Sequence, residues 1–188
     1  MSDQSKNRQP STQAPPEARQ RRPATAREAK ALSHPLRLRI LRLCGLDELT
    51  NKQLADRLEQ DPGTVLYHVR QLVNAGFLEQ GDVRTGTSGA LEKPYRSTGR
   101  SWWLSDALTG TESDAAMAPV EAFQEELREA GPESISTLAR FTLHLSPDDA
   151  RVLDERLQEL LDEYISTDDE RSHLPVHGGI VVLHSLRP

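Results

Sequence analysis

Between residues 36 and 72 the apolar positions recur three and four residues apart, the spacing of one helix face, in three short blocks. Leu36, Ile40 and Leu43 share a face in the first, Leu54, Ala55 and Leu58 in the second, and Val65, Val69 and Leu72 in the third. Each block carries its own start signal. Pro35 stands at a first helical position, where its missing N–H leaves no hydrogen bond unmade. Thr50 and Gln53 have the spacing of a capping box, and Asp61 with Pro62 reads as an N-cap followed by proline at N1. Gly76, just after Ala75, is the stop signal of the third block. "TAREAKALS" before the first block adds a short amphipathic turn or two, so three tightly connected helices are predicted before any strand.

After Gly76 the pattern changes. Phe77 to about Thr85 and Lys93 to about Ser97 read as two strands, and "GTSGALE" between them as a hairpin tip. Pro94 makes the second strand an edge or shortens its start, and Ser101 to Leu104 is a further extended piece. A linker follows at "SDALTGTESDAA", then a helix over 117–130 ended by Gly131-Pro132. "LARFTLHL", 138–145, alternates as a strand does, and "GGIVVLHSL" reads as another. Between them lies the best-signed helix in the chain, 147–165, with Ser146 as N-cap, Pro147 at N1 and a stripe of Leu153, Leu157, Leu160, Leu161 and Tyr164. The expected organisation is a basic disordered tail at 1–24, rich in Ser, Gln, Pro and Arg, a domain at 25–106, a linker at 107–116 and a second module at 117–188. The fold class is α+β.

Charge sharpens that division. Residues 1–43 hold ten Lys/Arg against three Asp/Glu, residues 44–104 seven against eight, and residues 105–188 six against eighteen. A basic front and an acidic back suit a chain whose first part meets a polyanion, although a basic tail joined to an ordinary acidic domain gives the same count. The lone Cys44 excludes an internal disulfide and a thiolate metal cluster. No apolar run approaches the roughly 20 residues of a membrane span, and a cytoplasmic address is expected.

The third helix carries the chemistry. With Val65, Val69 and Leu72 facing inward, Gly63, Tyr67, Arg70 and Asn74 fall on the opposite side, with Thr64 and Gln71 on its flank. That face is polar without acids. Tyr67, Gln71 and Asn74 can hydrogen-bond base edges, Arg70 can fork onto guanine or a phosphate, and Gly63 admits a close backbone. The helix N-terminus adds its amides and positive dipole end. His68 sits toward the core boundary and reads as packing. The preceding helix ends a few residues earlier, at helix-turn-helix spacing, and Arg84, Lys93, Arg96 and Arg100 decorate the hairpin behind it.

The stretch "ALSHPLRLRILRLCG…LTNKQLADRLEQDPGTVLYHVRQLVNAGFLE", with "EKPYRSTGRSWWL" after it, resembles the winged helix-turn-helix of ArsR-type bacterial transcriptional regulators over roughly residues 26–104. The resemblance implies that Pro62, Gly63, Thr64, Leu66, Tyr67, His68 and Arg70 lie along a DNA-facing helix, that Arg84, Lys93 and Arg96 lie near phosphates, and that a homodimer reads a two-fold operator. The chain departs from the family twice. It lacks the paired cysteines of metal-sensing members, and it continues for about eighty residues beyond the hairpin as an expected α/β module that dimerises or binds an unidentified effector.

No cofactor or metal is expected. His173 and His177 are separated by Pro175, which breaks the helical register that would make them a ligand pair. Trp102 and Trp103 either wall an apolar pocket or alternate along a strand, one in and one out. No nucleophile grouping, phosphate loop or acid pair points to an enzyme. The alternative to a DNA reader is a protein-interaction adapter, a winged-helix scaffold whose acidic half binds a basic partner.

Overall fold

The computed structural model describes residues 21–86, 89, 91–105 and 113–186, and the chain divides into two compact units, Met1–Pro119 and Val120–Pro188. Most of the expected tail, part of the hairpin tip and much of the expected linker lie outside the described residues.

The first unit starts with a two-residue strand, β1 (Arg22–Pro23), and helix α1 (Ala26–Leu32). Thr25 caps α1 in a complete capping box with Glu28. Helix α2 (Pro35–Leu46) begins behind His34, whose Nδ1 accepts the Leu36 amide at 3.2 Å. A short strand, β2 (Leu49–Thr50), leads directly into α3 (Asn51–Leu58), where the Thr50–Gln53 box forms as its spacing predicts. Glu59 ends α3 in the left-handed region at φ 52°. Asp61 then accepts the Thr64 amide at 2.9 Å and opens α4 (Pro62–Asn74).

Gly76, at φ +76°, turns the chain out of α4; a Cβ there would lie 2.8 Å from the Arg100 guanidinium. Strand β3 (Leu78–Gln80) follows, then β4 (Arg84–Thr85) pairs with β5 (Leu91–Glu92) toward the hairpin tip, and β6 (Pro94–Ser97) returns. Of the two expectations for Pro94, the structure has the shortened start and not the edge: β6 is the central strand, antiparallel to β2 on one side and β3 on the other. Pro94 is accommodated because it stands at the strand's first position, opposite Thr50, and uses only its carbonyl, which accepts the Gly81 amide at 2.9 Å. The small strands β1 and β2 before it were not legible, being two residues each.

A 3-10 turn, Arg100–Trp103, takes the place of most of the extended piece expected over 101–104, and β7 (Leu104–Ser105) pairs in parallel with β1. Both tryptophans are half-buried, with the Arg21 guanidinium 4.7 Å from the Trp102 ring and 6.0 Å from the Trp103 ring. Arg21 also donates to the Trp102 carbonyl at 2.6 Å.

One core serves this unit. Ile40, Leu54, Val65, Val69, Leu72 and Phe77 are almost wholly buried, so the three predicted helix faces meet one another. Truncating Leu72 or Phe77 to Ala would cost about 3 kcal/mol or more. Cys44 is buried with them, and burial pushes its thiol up to about 12.

In the second unit, the division falls inside α5 (Ser113–Ala130), which contains Pro119. Helix α6 (Pro147–Ser166) has the expected Ser146 cap in a full box with Asp149. The two expected strands are absent: residues 138–145 and 179–186 belong to no ladder, so the sheet of the anticipated α/β module does not form among the described residues. Period-2 alternation marks a segment that can be a strand, but a ladder needs a neighbour, and neither segment has one.

Candidate nucleic-acid interface

Two contacts hold α4 at its angle. Asn51 Nδ2, at the start of α3, donates to the Pro62 carbonyl at 2.9 Å, and the buried side of α4 packs Val65, Val69 and Leu72 against α2 and α3. The opposite side is open. Pro62, Gly63, Thr64, Tyr67, Arg70 and Asn74 are exposed, while Leu66 and Gln71 are half-buried on the flanks. Tyr67 leaves 57% of its surface in solvent. The Arg70 side chain makes no hydrogen bond or ion pair with any other described residue.

His68 does not share this face, which corrects its implied place along a DNA-facing surface. It is 6% exposed, its ring 4.4 Å from His34 and edge-on to Tyr67 at 5.2 Å. Burial, then the neighbouring His34 and Arg37, hold its pKa down at about 4. A neutral, enclosed imidazole offers a phosphate no charge. Its Nδ1 is buried without a hydrogen-bond partner among the described residues.

The N-terminus of α4 is also less free than the sequence suggests. The Asp61 carboxylate already occupies the positive end of the helix, and a Cβ at Gly63 would meet its Oδ2 at 3.0 Å. Gly63 therefore accommodates the cap as well as any approaching backbone.

A region that sequence reasoning passed over lies beside α4. Arg27 and Lys30 of α1, Arg37 of α2, and Tyr67, Gln71 and Asn74 of α4 line a cavity of about 360 Å³ with Ala31. Three cations and no acid face it. Arg37 is nearly buried because it closes the end of α1, its Nε donating to the Ala31 carbonyl at 2.6 Å and its Nη2 to that of Lys30 at 2.5 Å. Arg27 and Lys30 remain exposed. Their three-residue spacing in "AREAK", which puts two bases on one helix face, was the available signal; which neighbour that face met was not.

On the hairpin the three bases differ. Lys93 is exposed, whereas Arg84 pairs with Glu92 at 3.3 Å, and Arg96 with Glu79 at 2.8 Å and with Glu48 at 3.8 Å. Exposed pairs of this kind contribute at most about 1 kcal/mol, so a phosphate can displace the carboxylates at small cost. Arg100 lies 3.8 Å from Glu28. Glu28 itself is clamped: Arg22 donates to both its oxygens, at 2.5 and 2.9 Å, and Thr25 donates through its amide and hydroxyl. These bonds hold its carboxyl down at about 2.

Residues 32–81 match the family model of a helix-turn-helix domain, a span that contains α2, α3 and α4 and ends in the outgoing arm of the hairpin. A helix-turn-helix is a DNA-binding unit of regulators, its second helix entering the major groove. No curated protein matches the chain. No described helix is long and apolar enough to cross a membrane.

Proposed function

We propose that this chain is a sequence-specific DNA-binding transcription regulator of the ArsR-like, winged helix-turn-helix kind, acting in the cytoplasm as a homodimer on a two-fold operator. The observation that carries the reading is the exposed side of α4, where Tyr67, Arg70 and Asn74 stand without an acid, alongside the cationic cavity that Arg27, Lys30 and Arg37 line. In this reading α4 enters the major groove. Arg70 forks onto a guanine edge, Gln71 and Asn74 address neighbouring bases, and Tyr67 covers the sugar-phosphate edge of the groove.

The cavity beside Tyr67 receives a backbone phosphate flanking the reader, with Arg27 and Lys30 supplying charge and Arg37 giving the wall its fixed geometry. The hairpin is the wing. Lys93 meets a phosphate directly, and Arg84 and Arg96 do so by exchanging their carboxylate partners. Nothing in this arrangement performs a reaction: it positions donors for a polyanion and for base edges, which favours a reader over an enzyme.

Selection from a random duplex library with the full chain tests the proposal. It is expected to enrich a two-fold sequence whose half-site centres lie one helical turn apart, ~34 Å. Enrichment of no sequence over the starting library would refute it.

A further inference from the structure

From residue 123 to residue 186 not one residue is buried. This stretch includes α6, twenty residues long, fully capped, and carrying an apolar stripe with no buried member. Sixteen of the twenty-two exposed large hydrophobic side chains among the described residues lie between Ile135 and Leu186, with Leu138 at 85% and Tyr164 at 62%. A segment that orders its backbone while burying so little apolar surface has little to offset its lost conformational entropy. The described residues of the single chain do not supply the missing core.

The two segments expected as strands show the same lack. Residues 137–146 and 175–185 run without a turn or bend, and no backbone hydrogen bond joins residues 137–145 or 178–183 to other described residues. In the first segment Ala139, Phe141, Leu143 and Leu145 alternate with Arg140, Thr142 and His144. That is the pattern of a strand with one covered face, here with neither ladder nor cover.

We propose that the second unit completes its fold only against a second copy of this chain. The 138–145 and 180–185 segments of the two copies pair into one sheet across a two-fold axis, and the α6 stripes, with Leu160, Leu161 and Tyr164, cover it. A two-fold brings each segment an antiparallel ladder and each stripe an apolar cover in one isologous contact. The area is sufficient: sixteen large side chains exposed to this degree present on the order of 1,000 Å² of apolar surface, against the roughly 800 Å² per partner of a stable interface. A monomer rarely leaves such an area in water. The described residues of the first unit offer no equivalent. Its core is closed, and its exposed large hydrophobics are scattered from Leu46 to Met117. This inference rests on the dimeric reading proposed above and names the surface that makes the dimer.

The test uses the full chain at tens of micromolar in sedimentation equilibrium, with Thr142→Pro and Leu143→Pro as variants. Adjacent backbone amides point to opposite edges of a strand, so one of the two prolines must remove a donor facing any partner strand. The wild type is expected at twice the 21.0 kDa of one chain, and at least one variant at that single mass. Hydrogen exchange on the wild type adds a readout independent of any variant: amides over 138–145 and 180–185 are expected to exchange at least 100-fold more slowly than in free peptide. A monomeric wild type, a dimer that survives both prolines, or unprotected amides in the two segments would overturn the proposal. The DNA reading is judged apart from it, by binding of the monomeric variant to random duplex at low salt. Retained weak binding there leaves the reader intact whatever the dimer result, and its loss with α4 still folded sinks the reader alone.

Discussion

The imidazoles of His34 and His68 lie 4.4 Å apart, one capping α2 and the other on the enclosed side of α4. Burial first, then the nearby His34 and Arg37, hold the His68 pKa down at about 4. Between pH 6.5 and about 4 the unfolded chain takes up a proton at His68 that the folded chain refuses. Stability from this residue is therefore full above pH 6.5 and declines as the pH falls toward 4, by up to about 3 kcal/mol. His68→Phe keeps a ring against Tyr67 and removes the orphaned Nδ1. Denaturant titrations across that window should show a much flatter pH dependence in the variant; an unchanged slope would assign the acid sensitivity elsewhere.

Glu28 acts in a lower window. Its folded pKa, about 2, lies below its ordinary 4.5, so its contribution is present above pH 4.5 and is lost as the pH falls toward 2. Glu28→Gln leaves Arg22 without its carboxylate partner and should lower stability at neutral pH by about 1–3 kcal/mol. Amide exchange at Ala24, which donates to Ser105 at 3.1 Å beside the β1–β7 pair, should quicken in the same variant. Unaltered exchange there would mean that the clamp does not hold β1 in place.

Arg70 and Lys93 should separate by what they read. Arg70→Ala is expected to cost about 1–3 kcal/mol on the selected operator and little on random duplex, because a base contact carries the discrimination. Lys93→Ala should weaken both alike and reduce the slope of log K against log salt by about 1. Fluorescence anisotropy with both duplexes over a salt series checks the pair. Equal losses from Arg70→Ala on the two duplexes would make Arg70 a phosphate contact.

The carboxylates beside the hairpin arginines give a prediction of opposite sign. Glu79→Gln frees Arg96 from its shortest partner, at 2.8 Å, and removes a negative charge near the proposed phosphate path. Binding to random duplex should tighten several-fold at low salt and the gain should vanish at high salt. A weaker complex would indicate that Glu79 orients Arg96 for DNA instead of competing for it.

Arg27 and Lys30 test the cavity. The double change to Ala should leave stability within about 0.5 kcal/mol, since both side chains are exposed, while reducing affinity for any duplex. Full affinity in that variant at every salt concentration would remove α1 from the interface.

What the sequence determined by itself was the set of local instructions. The caps at Thr50, Asp61 and Ser146, the stop at Gly76, and the inward positions Val65, Val69 and Leu72 are properties of neighbours one to four residues apart, and the structure realises each of them. So is the acid-free face of α4, which follows from helical spacing alone. The tertiary structure decided what depends on partners distant in the chain. It made β6 the central strand, because Leu49–Thr50, distant in the chain, pairs with Tyr95 and Pro94. It buried His68 against His34 and brought Arg37 beside Tyr67 together with Arg27 and Lys30, whose own spacing put the two on one helix face but did not say which neighbour that face meets. It also left 138–145 and 180–185 without a ladder. Alternation specifies a strand's faces, but the hydrogen bonds that make it a strand belong to a neighbour, and within one chain none is present among the described residues.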